Sequence, residues 1–165
     1  MKKLVLSIVA LVAIVSFSCA QSAFEKGDNL LKVGIGVNSY PVSATPFGAS
    51  YEIGVSNSIS IGGNLDYLKV SEDGFSLTVL YYGIRGSYHA NFDLENTDIY
   101  CGAILGDKSL SLGDSGTNNT TSIASGTYIG GYVGGTYYFG KNVGIFAELG
   151  ATGVTNARIG LAFKF

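Results

Sequence analysis

Cysteine, histidine and charge are all scarce in this chain, and each scarcity removes a class of function. Of the two cysteines, Cys19 lies in an N-terminal leader and Cys101 in the body. With the leader removed, no internal disulfide is expected, so a small secreted scaffold stapled by disulfides is excluded. The single histidine, His89, comes with no CxxC and no His-x-x-x-His spacing, which leaves no zinc site; no cofactor is expected. Charged residues make up 13% of the chain and the net charge is −2. Lys2 and Lys3 leave with the leader, which takes −2 to −4. That balance lacks the basic footprint of a nucleic-acid binder. Past the leader no apolar run is long enough for a transmembrane helix, which needs roughly 20 residues. A membrane-inserted form of this chain must therefore be a closed barrel, the other way to satisfy every backbone polar group in lipid.

The leader has the three parts of a signal peptide. Met1-Lys2-Lys3 is the positive region, Leu4 to Phe17 an almost unbroken apolar run, and Ser18-Cys19-Ala20 supplies the small residues before cleavage at Gln21. The run is about 14 residues, too short to serve as a spanning anchor. Acylation at Cys19 is the alternative, and it fits less well because bulky Phe17 stands where a lipobox takes a small residue. Residues 1–20 are thus expected to be removed, leaving 21–165 as one domain.

What is abundant is alternation. In Arg158-Ile159-Gly160-Leu161-Ala162-Phe163-Lys164-Phe165 every second residue is apolar and those between are charged or small, the period of a β-strand. The same period marks seven more segments: Leu30–Asn38, Phe47–Ser56, Ile59–Lys69, Ser76–Ala90, Asp98–Gly106, Thr127–Phe139 and Val143–Gly150, with the last strand at Asn156–Phe165. At about 8 to 15 residues each can cross a bilayer at a tilt. The fold expected is all-β, an eight-stranded antiparallel up-and-down transmembrane β-barrel. Connections alternate too. Asn57-Ser58, Ala90–Thr97 and Gly140–Asn142 are short or moderate, whereas Asp107–Ser125 reads as a long polar loop. With both ends in the periplasm, the long loop lies outside the cell. Asn118 and Asn119 within it stand in Asn-x-Thr contexts, read here as loop composition.

The alternation sorts side chains into an outer apolar set and an inner set of glycine, tyrosine and charge. Eight strands enclose an interior just wide enough to be filled by side chains. Tyr81, Tyr100, Tyr128, Tyr132 and Tyr138 are expected to fill it, with Lys32, Glu52, Asp66, Arg85, Glu148, Arg158 and Lys164 also inside. Buried charges of both signs persist when paired, so a salt-bridged plug is expected. Its rival is an ion or proton path. Pairing around a turn at Gly153 sets Glu148 opposite Arg158.

The final strand resembles the C-terminal assembly signal of bacterial outer-membrane barrels, with Arg158, Gly160, Phe163 and Phe165 in its polar, glycine and two aromatic positions. The leader ending in Ala20-Gln21, the glycine-tyrosine strands and the hairpin Tyr137–Gly150 are similar to the small outer-membrane β-barrel domain proteins common in Bacteroidetes, which share the architecture of OmpA/OmpX-type barrels. The resemblance spans nearly the whole mature chain and implies the cell outer membrane of a Gram-negative bacterium. Its implied partners are outer-membrane lipid and, during biogenesis, the barrel-assembly machinery and periplasmic chaperones. The expected protein is a monomer.

Two rival readings fit the residues less well. Lipid A deacylase-like barrels use a Ser–His–acid set on the outer surface, and Ser87-x-His89 has the spacing in reversed order. Alternation points both inward, and the nearest carboxylates, Asp93 and Glu95, lie in the following turn, so no catalytic residue is assigned. A soluble lipocalin-like barrel needs a charged exterior, which 13% charge does not supply. The expected role is structural or surface contact, such as adhesion, with loop 107–125 as the candidate ligand-contact site. A small porin-like pore is the alternative and a membrane-embedded hydrolase the second.

Overall fold

Strands whose one face is apolar and whose other face is small and polar can bury the polar face only by curling up. The computed structural model describes residues 23–37, 44–72, 75–90, 92, 94–114 and 120–165. Eight strands form a closed antiparallel barrel: β1 (Asn29–Gly36), β2 (Phe47–Ser56), β3 (Ile59–Glu72), β4 (Phe75–Ala90), β5 (Thr97–Asp114), β6 (Thr120–Tyr138), β7 (Val143–Gly150) and β8 (Ala157–Lys164). Each strand pairs with its sequence neighbour, and β1 closes the barrel against β8 from Leu30↔Lys164 to Gly36↔Arg158. Closure removes the exposed strand edges that an open sheet would present. No described helix is long and apolar enough to cross a membrane.

The alternation is realised strand by strand. Ile84, Leu105, Ile129, Val133, Leu149 and Leu161 stand on an outer belt, with Ile129 80% exposed. Arg85, Tyr100 and Glu148, on β4, β5 and β7, are buried inside, as are Lys32 of β1 and Glu52 of β2.

One expectation is corrected. Most of the expected loop Asp107–Ser125 is strand: β5 runs to Asp114 and β6 starts at Thr120, paired through Asp107↔Thr127, Lys108↔Gly126 and Ser109↔Ser125, with a register shift near Leu110, and residues 115–119 lie outside the described residues. β3 also runs past its expected end at Lys69, with Ser71 paired to Ser76 and Glu72 to Phe75. The reason is a reversal of polarity along the strands. Beyond the belt the outer positions become Lys69, Ser71, Thr78, Asp107 and Ser109, while the inner ones become Leu68, Val79 and Leu110. A face rich in serine reads as loop, yet Ser and Thr are at home on a strand that leaves an apolar belt for water. Asn118 and Asn119 lie outside the described residues.

Lys164 keeps the inner side of β8, opposite buried Leu30 and 5.2 Å above the Tyr138 ring, but at the terminal rim, where it lies 3.6 Å from Asp28 and donates to the carbonyl of Ala23 at 2.9 Å. Strand β1 ends at Gly36, and Asn38 lies outside the described residues.

The chain before β1 returns into the barrel. A turn over Glu25–Asp28, with Gly27 at φ 95°, lets Gly27 donate to the carbonyl of Gly54 while Gly54 donates to that of Asp28, both at 2.8 Å. Ala23 and Phe24 are thereby tucked into the end of the barrel where β1 begins and β8 ends, and both are buried.

Candidate functional site

The barrel interior concentrates the chemistry. Among the described residues, eight ionisable Lys, Arg, Asp, Glu and His side chains are buried: Lys32, Glu52, Asp66, Arg85, His89, Asp98, Glu148 and Arg158. Six of them form one ion-pair network. Arg85 bridges Glu52 (Nε to Oε1, 3.1 Å) and Glu148 (Nη2 to Oε1, 2.9 Å). Arg158 bridges Glu148 (Nη2 to Oε2, 2.6 Å) and Asp66 (Nη1 to Oδ1, 3.0 Å). Lys32 stands 3.9 Å from both Glu52 and Glu148 and 3.5 Å above the Tyr100 ring. Glu148 therefore faces three cations and also accepts from the Tyr100 hydroxyl at 3.0 Å. Three positive and three negative groups balance, which is the condition for holding charge out of water.

Glycine sets the geometry. In register, Gly62 lies between Glu52 and Arg85, Gly134 between Tyr100 and Glu148, and Gly102 between Ser87 and Tyr132. Each long side chain thus reaches across one bare strand to its partner two strands away. A Cβ on Gly134 would stand 2.8 Å from both the Tyr100 ring and the Glu148 side chain. At Gly48 a Cβ would collide with the Arg158–Asp66 pair.

The interior tyrosines take the same part. Tyr132 accepts from Arg85 Nε at 3.0 Å and lies 2.7 Å from the Ser87 hydroxyl. Tyr81 and Tyr128 meet edge to face at the loop end, and Tyr138 packs with Ala23, Phe146 and Ala162 at the terminal end.

A second cluster was missed by sequence reading. His89 Nε2 lies 2.9 Å from Ser60 Oγ, and Nδ1 lies 2.8 Å from Asp98 Oδ1. The acid on His89 is neither Glu95 in the following turn nor Asp93, which lies outside the described residues, but Asp98, across the β4–β5 ladder. The serine is Ser60, not Ser87. Strand order alone could have indicated it, since Ser60 pairs with Ser87 and His89 with Tyr100, which brings inner positions of β3, β4 and β5 together.

By distance this is a Ser–His–Asp relay. Three facts deny it hydrolytic use. Ser60 is fully buried, its hydroxyl is committed to Glu52 Oε2 at 2.7 Å, and Phe24 covers His89 with rings stacked 3.6 Å apart. A carboxylate against the nucleophile also opposes the oxyanion that acyl transfer must stabilise. The cavity beside Phe24 and His89 measures about 10 Å³, room for a single water. Among the described residues no group of three or more potential ligands is placed to hold a metal ion.

The four residues expected from sequence to form an assembly signal all lie on or just past β8. Arg158 points in, Gly160 faces Gly34 and Phe146 across its neighbours, Phe163 pairs with Leu31 and Val143, and Phe165 is 62% exposed at the terminal rim. Glu148 and Arg158 are directly opposite in register.

Solved structures share this architecture. The N-terminal β-barrel domain of Pseudomonas aeruginosa OprF superposes with a TM-score of 0.60 at 17% identity, covering 88% of this chain and 100% of that one. Ail, the attachment invasion locus protein of Yersinia pestis, gives 0.54 at 15% identity over 85% and 99%. OprG of P. aeruginosa gives 0.58 at 10% identity over 88% and 99%. The fold is that of the small outer-membrane barrels. No protein-family model matches the sequence, and no curated protein matches it either.

Proposed function

We propose that this chain is a Gram-negative outer-membrane barrel whose role is structural and surface contact, with a closed interior that carries no solute. The observation that supports this most is the Lys32–Glu52–Arg85–Glu148–Arg158–Asp66 network across the lumen. An ion moving through would have to part bonds whose loss leaves charges buried and unpaired. The apolar outer belt supports residence in lipid, since a face with Ile129 80% exposed belongs in a bilayer or an interface. The extensions of β3–β4 and β5–β6 beyond the belt supply the contact surface, with a hydrophilic outer face of Lys69, Thr78, Asp107 and Ser109. That one structural neighbour is an attachment protein supports the contact reading.

On this reading both termini face the periplasm and the extended hairpins face outward. Export by the leader, reading of Arg158, Gly160, Phe163 and Phe165 by the assembly machinery, and a monomeric state belong to the same proposal.

Two measurements test it. Purified protein in planar bilayers gives no stable conductance, and a large steady current would replace the plugged barrel with a pore. An epitope inserted between Asp114 and Thr120 is stained by antibody on intact cells. Staining only after permeabilisation would overturn the orientation.

A further inference from the structure

Asp66 and Arg158 form the outermost ion pair of the network, and each is 1% exposed. Their place in the barrel does not account for that burial. Gly36, opposite Arg158, is the last residue of β1, and Phe47, opposite Tyr67, is the first of β2. The pair thus stands in the last inner ring that all eight strands enclose, where an open mouth would leave it wet.

A cover is at hand in Ala151–Asn156, the connection from β7 to β8. Gly150 at φ 138° and Gly153 at φ 152° bend it into the mouth through backbone conformations that other residues rarely adopt. Thr152 is fully buried and Thr155 is 2% exposed, although both belong to an end loop. Gly153 rests on Asp66, whose carboxylate a Cβ at that position would strike, and the Thr152 carbonyl lies 3.5 Å from Asn64 Nδ2. Asn64 and Asp66 belong to β3, which stands opposite β7 in the ring of eight. Thr155 is back at the near wall, where a Cβ on Gly36 would meet its Cβ at 2.8 Å. Six residues therefore cross the mouth and return. Bonds within the connection hold this course: Gly150 N to Asn156 O at 2.9 Å, Thr152 N to Gly150 O at 3.0 Å, Thr152 Oγ1 to Thr155 O at 3.2 Å and Thr155 Oγ1 to Ala157 O at 2.8 Å. Hydroxyls closing on nearby carbonyls take the place of water that buried backbone would otherwise need.

We propose that Ala151–Asn156 is a strap that seals the outer mouth, a closure of its own in series with the ion-pair network. The inner closure is Arg85 between Glu52 and Glu148. Gly62 joins Glu52 to Arg85 in register, and Asp66 lies four residues further along β3, about 13 Å of strand. On the closed-interior reading, on which this rests, a solute from outside meets the strap first and the network second. The strap keeps water from the Asp66–Arg158 pair, and the pairs of Arg85 stay dry with or without it.

Proton exchange with water, followed by ¹⁵N NMR on the full mature chain in detergent micelles, tests this whatever the orientation in a cell. Two interior groups report on the two closures. The Asn64 side-chain amide lies under the strap, and Arg85 Nε–H, which donates to Tyr132 at 3.0 Å, lies at the inner closure. Replacing Ala151–Thr155 by Asn-Gly removes the strap and lets Gly150 and Asn156 pair around a two-residue turn. Exchange at Asn64 should then rise at least about tenfold, while exchange at Arg85 stays within about twofold of the unaltered chain. Gly153→Ala keeps the loop length and should act in the same direction, because its methyl strikes Asp66. It decides the question if the shortened chain fails to fold. Unchanged exchange at Asn64 in either folded variant would overturn the strap as a seal. Equal acceleration at Asn64 and Arg85 would overturn the arrangement in series, leaving the strap as the one closure. Fast exchange at both groups in the unaltered chain would instead sink the closed interior itself.

Discussion

At the residue scale the fold depends on which positions have no side chain. The pairs Glu52–Arg85 and Tyr100–Glu148 span two strand spacings, and each is made over a glycine, Gly62 and Gly134 respectively. Gly134→Ala should therefore destabilise the barrel by about 1–3 kcal/mol, since the new methyl meets Tyr100 and Glu148 at 2.8 Å. Gly135→Ala is the control. It faces outward with its nearest neighbour at 3.7 Å and should change stability by less than about 0.5 kcal/mol in the same detergent unfolding experiment. Equal effects at the two sites would deny the spacing role. The ion pair in register between β7 and β8 makes a second prediction. Glu148→Ala leaves Arg158 and Arg85 short of a partner and should cost about 3–5 kcal/mol, after which Arg158→Ala adds little. Additive losses in the double-mutant cycle would show that the two do not interact.

At the element scale, legibility followed polarity. Within the belt, two-residue alternation is unambiguous because lipid-facing and lumen-facing residues differ sharply in type, as Val143-Gly144-Ile145-Phe146-Ala147-Glu148 shows. There the strands, their register at Glu148↔Arg158 and the inward direction of the charges could all be read. Past the belt the outer face turns to serine, threonine and charge, and the same rule returned a loop where β5 and β6 continue. The Ser60–His89–Asp98 cluster was hidden for another reason. Its members come from three strands, and only the pairing of β3 with β4 and β4 with β5 brings them within 3 Å. The extension itself is dispensable to the barrel, because its pairs above Lys108↔Gly126 involve only β5, β6 and the upper part of β4. Joining Lys108 to Gly126 by a short turn should leave a barrel that still migrates faster unheated than boiled on a gel. Loss of that shift would mean that the hairpin helps to hold the closed sheet.

For the whole molecule the decisive step is closure, which joins the first strand to the last. Phe165 takes part through its backbone, accepting from Asn29 N at 2.9 Å and donating to Asn29 O at 3.1 Å, while its side chain stays on the rim, 62% exposed. Backbone bonds do not need that side chain, so Phe165→Ser should cost the finished barrel little. Surface substitutions that create no cavity and bury no polar group usually change stability by under about 0.5 kcal/mol. The ring's exposure at the end of the closing strand, on the same outer face as Phe163, fits a group that is read before the barrel exists. Phe165→Ser should therefore fold from urea into detergent micelles with a nearly unchanged unfolding midpoint, yet fail to accumulate in the outer membrane of cells. It should be found in the periplasm or degraded. Normal membrane levels would remove the recognition role from Phe165, and a collapse of the midpoint in vitro would assign the residue to the stability of the closed sheet instead.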